Sequence, residues 1–591
     1  MGWFRRSLFA VALLAPLGVL LAGPAAAAAP AKPHAAVFKG KNAARAVRPH
    51  QMAMPVRAAA PVTPGCAYQD IDLQKYGMQP FADAPVIRSD ANHVLTATLA
   101  IAYTDPATTS IAGCPVHLRT YNGQLIGPTL RVRPGDTMKI TIRNDLPREA
   151  MPCPMAHSNT MQALNTTNLH THGLHVSPSG NSDNVFIEIC PGTSQDYDIH
   201  VPLDHPAGTF WYHAHVHGST AVQVSSGMEG ALIVEGGLDD VPAIRIMKER
   251  IFLMQQISYN EQGEIESLTQ FSPGSWADSK RVITVNGQIA PVVTIAPGEI
   301  QHWRFIHGGV RETIKMYLQG SGMPLNEVAT DGNTLGRIDA WSTPLEFDPG
   351  YRSDILFKAP SQAGRYYLTS APLTGLQLLE TRLPSPALHG KKVSADLFAA
   401  KLTAVLNQVQ PANVIAVIDV RGPFTIMPMP TNAELAPLAP YKTITDGDLN
   451  GAPQNVAFSI ENMVCAGPGP CTPCTSGPTC DIRFMVNDYP YPTGPVRQMK
   501  LNTASQWTLT VAPTSLALTH PFHIHVNPFE MKRPGPDGQP EIVWKDTVLV
   551  HQGTPIPVRS RYTEFTGAFV LHCHILDHED QGMMQKVEIV P

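Results

Sequence analysis

Between residues 572 and 584 the chain reads HCHILDHEDQGMM, so that three histidines, one cysteine and two methionines fall within thirteen positions. A lone cysteine between histidines is ordinary packing, but packing does not account for the whole set. If residues 568–576, AFVLHCHIL, form a strand, the period of two sends His572 and His574 to one face and Cys573 to the other. One segment would then serve two sites. A thiolate and imidazole beside a weak thioether suit a His2Cys copper centre, and paired imidazoles on the opposite face suit further copper.

Three other stretches carry histidines in the same alternation: HTHGLH from His170, WYHAHVHG from Trp211 and HPFHIH from His520. Strand geometry puts His170 with His172, His213 with His215, and His523 with His525 on common faces. A single His-x-His pair says little about metal. Two clusters near the start and two at the end imply a shared site built from distant parts of the chain.

The elements that must position these residues show as a repeat. YNGQLIGPTLRVRPGDTMKITIR at 121–143 is echoed by VNGQIAPVVTIAPGEIQHWRFI at 285–306, and more weakly by VNDYPYPTGPVRQMKLNTASQWTLTV at 486–511. Each opens on an Asn-Gly or Asn-Asp turn and continues in short alternating strands, the signature of duplicated β-sandwiches. A Gly-led strand also recurs, as GTFWYHAHVHG at 208, GRYYLTS at 364 and GAFVLHCHILDH at 567. The middle copy has no histidine, which marks its domain as a spacer. The spacing of SADLFAAKLTAVLNQVQ, 394–410, predicts a linker helix. The expected organisation is a signal peptide over 1–29, an extension over 30–84, and domains over 85–238, 239–393 and 394–591, the last including the linker helix.

At 591 residues the chain is long enough for several cores. Its net charge of -5, with both signs interspersed, excludes the basic stripe that nucleic acid or an anionic membrane requires. The 55 prolines and 45 glycines favour a turn-rich β protein. The N-terminus, MGWFRRSLFAVALLAPLGVLLAGPAAAAAP, has the basic, apolar and Ala-rich regions of an export signal, and its apolar run is shorter than the roughly 20 residues that span a bilayer. FRRSLF hints at twin-arginine export, with Phe4 where that signal has Ser or Thr. The expectation is an exported protein, periplasmic or secreted, without a membrane anchor, and monomeric. Nine cysteines leave one over if the rest pair, and Cys573 is the natural odd one. CAGPGPCTPCTSGPTC at 465–480 reads as a zinc knot or as two disulfides; an oxidising compartment favours the disulfides, with connectivity open.

The four histidine motifs, in this order, resemble those of the multicopper oxidases, in particular the three-domain laccase-like group, and the resemblance covers the chain after residue 85. It implies an all-β fold of three cupredoxin-like Greek-key sandwiches and four copper ions. The resemblance assigns a type 1 copper to His520, Cys573 and His578 with Met583 axial, and a type 2 copper to His170 and His523. Two type 3 coppers go to His172, His213, His215, His525, His572 and His574. Glu579 and Asp183 resemble acidic residues that deliver protons to such clusters. His175 and His217 match no ligand position and are assigned to surface or supporting roles, Met584 to core packing.

The implied reaction is one-electron oxidation of a small reducing substrate coupled to four-electron reduction of dioxygen to water. A phenolic or aromatic-amine substrate is expected first. A cuprous oxidase is the alternative, weakened because the densest methionine run outside the last motif is TIMPMP at 425–430. A non-catalytic copper carrier could lose members of the eight His-x-His histidines, and none is missing. A two-domain nitrite reductase lacks a complete set of this kind.

Overall fold

A computed structural model describes residues 77–150, 163–266, 280–370, 413–465, 469–475 and 480–591, with the isolated positions Cys66, Lys75, Cys153 and Asn159. The expected signal peptide and the linker helix at 394–410 lie outside the described residues. Among those described, no helix is long and apolar enough to cross a membrane.

The three repeats fold alike because each places an asparagine where the backbone needs a left-handed turn. Asn122, Asn286 and Asn487 have φ of 55°, 53° and 51°, and the next residues, Gly123, Gly287 and Asp488, are positive too. Two successive positive φ values make the tight turn that joins twisted strands, and Asn, Gly and Asp tolerate them best. The asparagine side chains repeat one further contact, accepting the backbone N–H of Ala100, Leu253 and Ala457 at 2.9, 3.0 and 2.8 Å. Each turn therefore locks to a strand about 22 to 33 residues before it in sequence.

Each repeat builds a sandwich of two sheets. The first joins a five-stranded sheet, which contains Glu229–Val234, Gly208–His213 and His170–His172 as neighbours, to a four-stranded one. Its alternating strand Val94–Tyr103 runs parallel to Thr137–Asn144, and Leu95, Leu99, Ile101, Met138, Ile140 and Ile142 point into one core. The middle sandwich has six- and five-stranded sheets, the last one seven- and five-stranded sheets. In the last, Thr519–Ile524 lies between Thr547–His551 and Gly567–Cys573, so the third and fourth histidine motifs are adjacent strands with His523 opposite His572. The chain is all-β, as expected.

Three details differ from the sequence reading. Asn413–Val420 pairs with Val292–Ile295 and Gly364–Ser370, so the middle sandwich draws a strand from beyond residue 393, where its boundary was expected. The end of the extension expected over 30–84 is also part of that sandwich: Phe81 N–H donates to Val292 O at 2.9 Å and its ring packs on Phe252. Finally, the strand expected over 568–576 stops at Cys573, and the chain bends into a short helix, Leu576–Asp580. Cys573 N–H donates to Met583 O and Met583 N–H to His578 O, each at 3.0 Å, which closes a loop and returns His578 to the sulfur side of the strand.

Eight cysteines form four disulfides, Cys66–Cys114, Cys153–Cys190, Cys465–Cys471 and Cys474–Cys480. Cys573 is free and buried. The 465–480 loop thus has no thiolate to offer zinc. Alkylation of the unreduced, denatured protein is expected to label one thiol, Cys573, and elemental analysis to find no stoichiometric zinc; four labelled thiols would contradict the pairing.

Candidate metal centre

All the histidines of the four motifs that were expected to act together are buried, and they converge in two groups. In the first, Cys573 Sγ lies 3.4 Å from His520 Nδ1 and 3.7 Å from His578 Nδ1. Met583 is fully buried in the same core cluster as Cys573, and Phe458 and Phe484 flank the two histidine rings. In the second group, His170 stacks on His525 and His172 on His523, each with centroids 3.8 Å apart. His572 Nε2 faces His215 Nε2 at 3.2 Å and His525 Nε2 at 3.3 Å, and His574 lies 5.0 Å from His172, ring to ring. The eight histidines come from four strands or strand ends of the first and last sandwiches.

The hydrogen bonds around this cluster fix which nitrogen points inward. His213 Nδ1 meets Ala214 O at 2.9 Å, His523 Nδ1 meets Asp546 O at 2.9 Å, and His572 Nδ1 meets Cys573 O at 3.1 Å. A carbonyl can only accept, so these Nδ1 atoms carry the proton and each Nε2 presents a lone pair. His170 Nε2, His213 Nε2, His523 Nε2 and His172 Nδ1 are buried with no hydrogen-bond partner. Several acceptor lone pairs facing one another in a dry interior are costly. A group of cations that accepts them all removes that cost. Burial and mutual repulsion push the pKa of His170, His172, His213 and His572 well down, and that of His215 to about 3, so these rings are neutral as ligands must be.

Groups of three ligand atoms within 4.8 Å of one another include His170, His523 and His525; His170, His172 and His213; His215, His525 and His572; and His520, Cys573 and His578. Residues 472–591 match one family model described as multicopper oxidase, and residues 104–152 with 154–238 match a second. The chain belongs to the multicopper oxidase family. A multicopper oxidase of Staphylococcus aureus is 24% identical over 487 residues, which covers 79% of this chain and 83% of that protein. A laccase of Bacillus subtilis is 24% identical over 529 residues, 80% of this chain and 90% of its own. The solved structure of a Campylobacter jejuni multicopper oxidase, described as a metallo-oxidase, matches with a TM-score of 0.63 at 21% identity over 88% of this chain and 97% of that one. At that identity the structural likeness speaks for the fold, three cupredoxin-like sandwiches.

Family membership implies copper, and the donor set fits it: neutral imidazoles and one cysteine sulfur, with buried lone pairs turned inward. Burial pushes the Cys573 thiol well above its ordinary value, so the thiolate needs a cation beside it to persist.

The two carboxyls singled out in the sequence both reach the cluster. Asp183 Oδ2 lies 3.1 Å from His170 Nδ1, and Asp183 Oδ1 accepts the Thr171 N–H at 2.9 Å. Burial pushes it up to about 7. Glu579, fully buried, lies 3.2 Å from His572 Nδ1 and 3.4 Å from His215 Nδ1, and burial raises its carboxyl well above the usual range. Its neighbour Asp580 accepts the backbone N–H groups of Gly218 and Ala221 at 2.7 and 2.8 Å, which ties this helix to the first sandwich. His175 bonds Val526 O and His217 meets Asn159, both outside the cluster. Met584 packs with Tyr491 and Val570.

Sequence reasoning missed the residues that hold the cluster from behind. Asp546 lies 3.1 Å from His172 Nε2 and 3.4 Å from His523 Nδ1, and it is gripped by both terminal nitrogens of Arg352 at 2.8 and 2.5 Å. Arg352 belongs to the middle sandwich, so that domain does more than space the other two. The carboxylate partners orient the imidazoles, and the guanidinium holds the carboxylate well below its ordinary pKa. The only signal in the sequence was an Asp at the start of the strand Thr547–His551, which has no motif around it.

Proposed function

We propose that this multicopper oxidase takes single electrons from small phenolic or aromatic-amine substrates and delivers four of them to dioxygen. Four substrate molecules each lose one electron, and one dioxygen takes four electrons and four protons to give two waters. Copper would supply the redox chemistry: His520, Cys573, His578 and Met583 would hold a type 1 ion, His170 and His523 a type 2 ion, and His172, His213, His215, His525, His572 and His574 a type 3 pair. The observation that carries this reading is the peptide link between the two groups, since Cys573 stands between His572 and His574 and its sulfur faces away from the cluster they enter.

The chain's own residues do the rest. The neutral, stacked imidazoles keep the cluster site shaped and dry. Glu579 and Asp183, whose carboxyls burial raises above their ordinary range, are placed to hold and pass protons within reach of cluster histidines. Four disulfides fit an exported protein in an oxidising compartment. A cuprous substrate is less favoured because the TIMPMP methionines serve packing: Met427 Sδ accepts the Ile300 N–H at 3.3 Å, and Met429 packs on the same core.

Oxygen uptake by copper-loaded protein with a phenol, an aromatic diamine and Cu(I) in parallel tests the reading. Uptake with the organic donors supports it, uptake with Cu(I) alone replaces the substrate class, and no uptake with any donor rejects the oxidase. Met583→Leu removes a weak donor that favours the oxidised ion, so the reduction potential of the thiolate centre should rise. Redox titration of its absorption band measures this, with Met584→Leu expected to leave it unchanged.

A further inference from the structure

His578 is the ring through which the sulfur-bearing site meets another domain. Its Nδ1 faces Cys573 Sγ, and its Nε2 lies 3.3 Å from Arg311 Nη2. The same Nη2 donates to Asp577 Oδ2 at 2.6 Å. All three residues are buried: His578 is 6% exposed, Arg311 4% and Asp577 1%. Arg311 comes from the middle sandwich and is set in place before it meets the site. Its backbone N–H donates to Gln256 Oε1 at 3.0 Å, and Val310 O accepts the Leu576 N–H at 3.1 Å. A side chain at Gly308 or Gly309 would collide with Glu229 or with Gln256 and His307, so the loop carrying Arg311 has little room to shift.

The proton positions add a constraint. Once Nδ1 is given to a metal, neutral His578 carries its proton on Nε2, and Nε2–H cannot accept from Arg311. It needs an acceptor instead. Asp577 Oδ1, in the same buried ion pair, makes no hydrogen bond. A carboxylate that accepts from the outer nitrogen of a ligand histidine raises the basicity of that ligand and fixes its ring.

We propose that the Arg311–Asp577 ion pair is the positioning element of the sulfur-bearing site, with Asp577 accepting from His578 Nε2–H in the loaded protein and Arg311 holding Asp577. The two charges then set the reduction potential in opposite senses. The carboxylate favours the more positive, oxidised ion, and the guanidinium favours the reduced one. This rests on the copper site proposed at Cys573.

Redox titration of the thiolate absorption band in the full-length, copper-loaded protein tests it without turnover. Arg311→Gln should shift the ratio of oxidised to reduced centre about tenfold toward oxidised at a fixed redox-buffer potential, a fall of about 59 mV for a one-electron couple. Asp577→Asn should shift it by a similar factor the other way. The double variant should return near the wild-type ratio, and Arg311→Lys, which keeps the charge, should stay closer to wild type than Arg311→Gln. Copper content and circular dichroism identify variants that fail to fold, and the Lys substitution remains as the test if Gln does. Shifts of the same sign in both single variants, or no shift in either, would overturn the proposal. A wild-type protein with no thiolate band to titrate would instead refute the copper site on which it rests.

Discussion

Cys573→Ser is expected to abolish oxidation of every reducing substrate and to remove the intense thiolate-to-copper absorption, while the eight-histidine cluster keeps its metal. The serine hydroxyl fits the volume of a fully buried thiol, but it offers His520 and His578 no soft anionic partner. The neighbours His572 and His574 are held by their own contacts: His572 Nδ1 to Cys573 O at 3.1 Å, and the backbone N–H of His574 to Pro521 O at 2.7 Å. These bonds involve the backbone and survive the substitution. Copper analysis should therefore show the loss of about one ion of the four proposed. Persistence of the blue band in Cys573→Ser would reject the site, and loss of all copper would show that the two groups fold as one unit.

Glu579→Gln is expected to slow reoxidation of the fully reduced protein by dioxygen roughly 10²-fold, the lower end of what positioned proton transfer contributes. Glutamine keeps the size and can still meet Thr220 Oγ1, which lies 3.3 Å from Glu579 Oε1, but it has no acidic proton to give. Electron uptake from substrate should continue, because the sulfur-bearing group is intact. Under steady turnover the variant should bleach while oxygen remains. Stopped-flow mixing of reduced protein with oxygen measures the step. Asp183→Asn should slow it as well, since Asp183 lies 3.1 Å from His170 Nδ1. A wild-type reoxidation rate across the acidic range would leave Glu579 a structural carboxyl and place proton delivery elsewhere.

The two predictions differ in what they ask of the chain. Cys573 acts through one atom and its backbone neighbours, all within a single motif. Glu579 acts from a helix that Asp580 pins to the first sandwich through the N–H groups of Gly218, Thr220 and Ala221. Its effect therefore depends on two domains meeting correctly.

The amino-acid sequence by itself determined the donor set, the three turns and the all-β architecture, because each is written in local geometry. Alternation along a strand places His170 with His172 and His523 with His525, and an Asn-Gly or Asn-Asp pair selects a turn with positive φ wherever it occurs. Tertiary structure decided the rest. The strand ends at Cys573, and the chain closes back through Leu576–Asp580 to Met583, whose O takes the Cys573 N–H, so His578 returns to the sulfur by loop closure and not by alternation. The partners that aim the imidazoles lie far off in sequence: Asp546 is 374 residues from His172, and Arg311 is 266 residues from Asp577. An isolated Asp or Arg carries no periodicity that could announce such a pairing. The strand Asn413–Val420 was likewise decided by sheet pairing, since the repeat that marks a domain's beginning does not mark which later strand closes its sheet. Local backbone preferences act over a few residues and can be read directly, whereas buried ion pairs and sheet edges exist only once distant segments have excluded water between them.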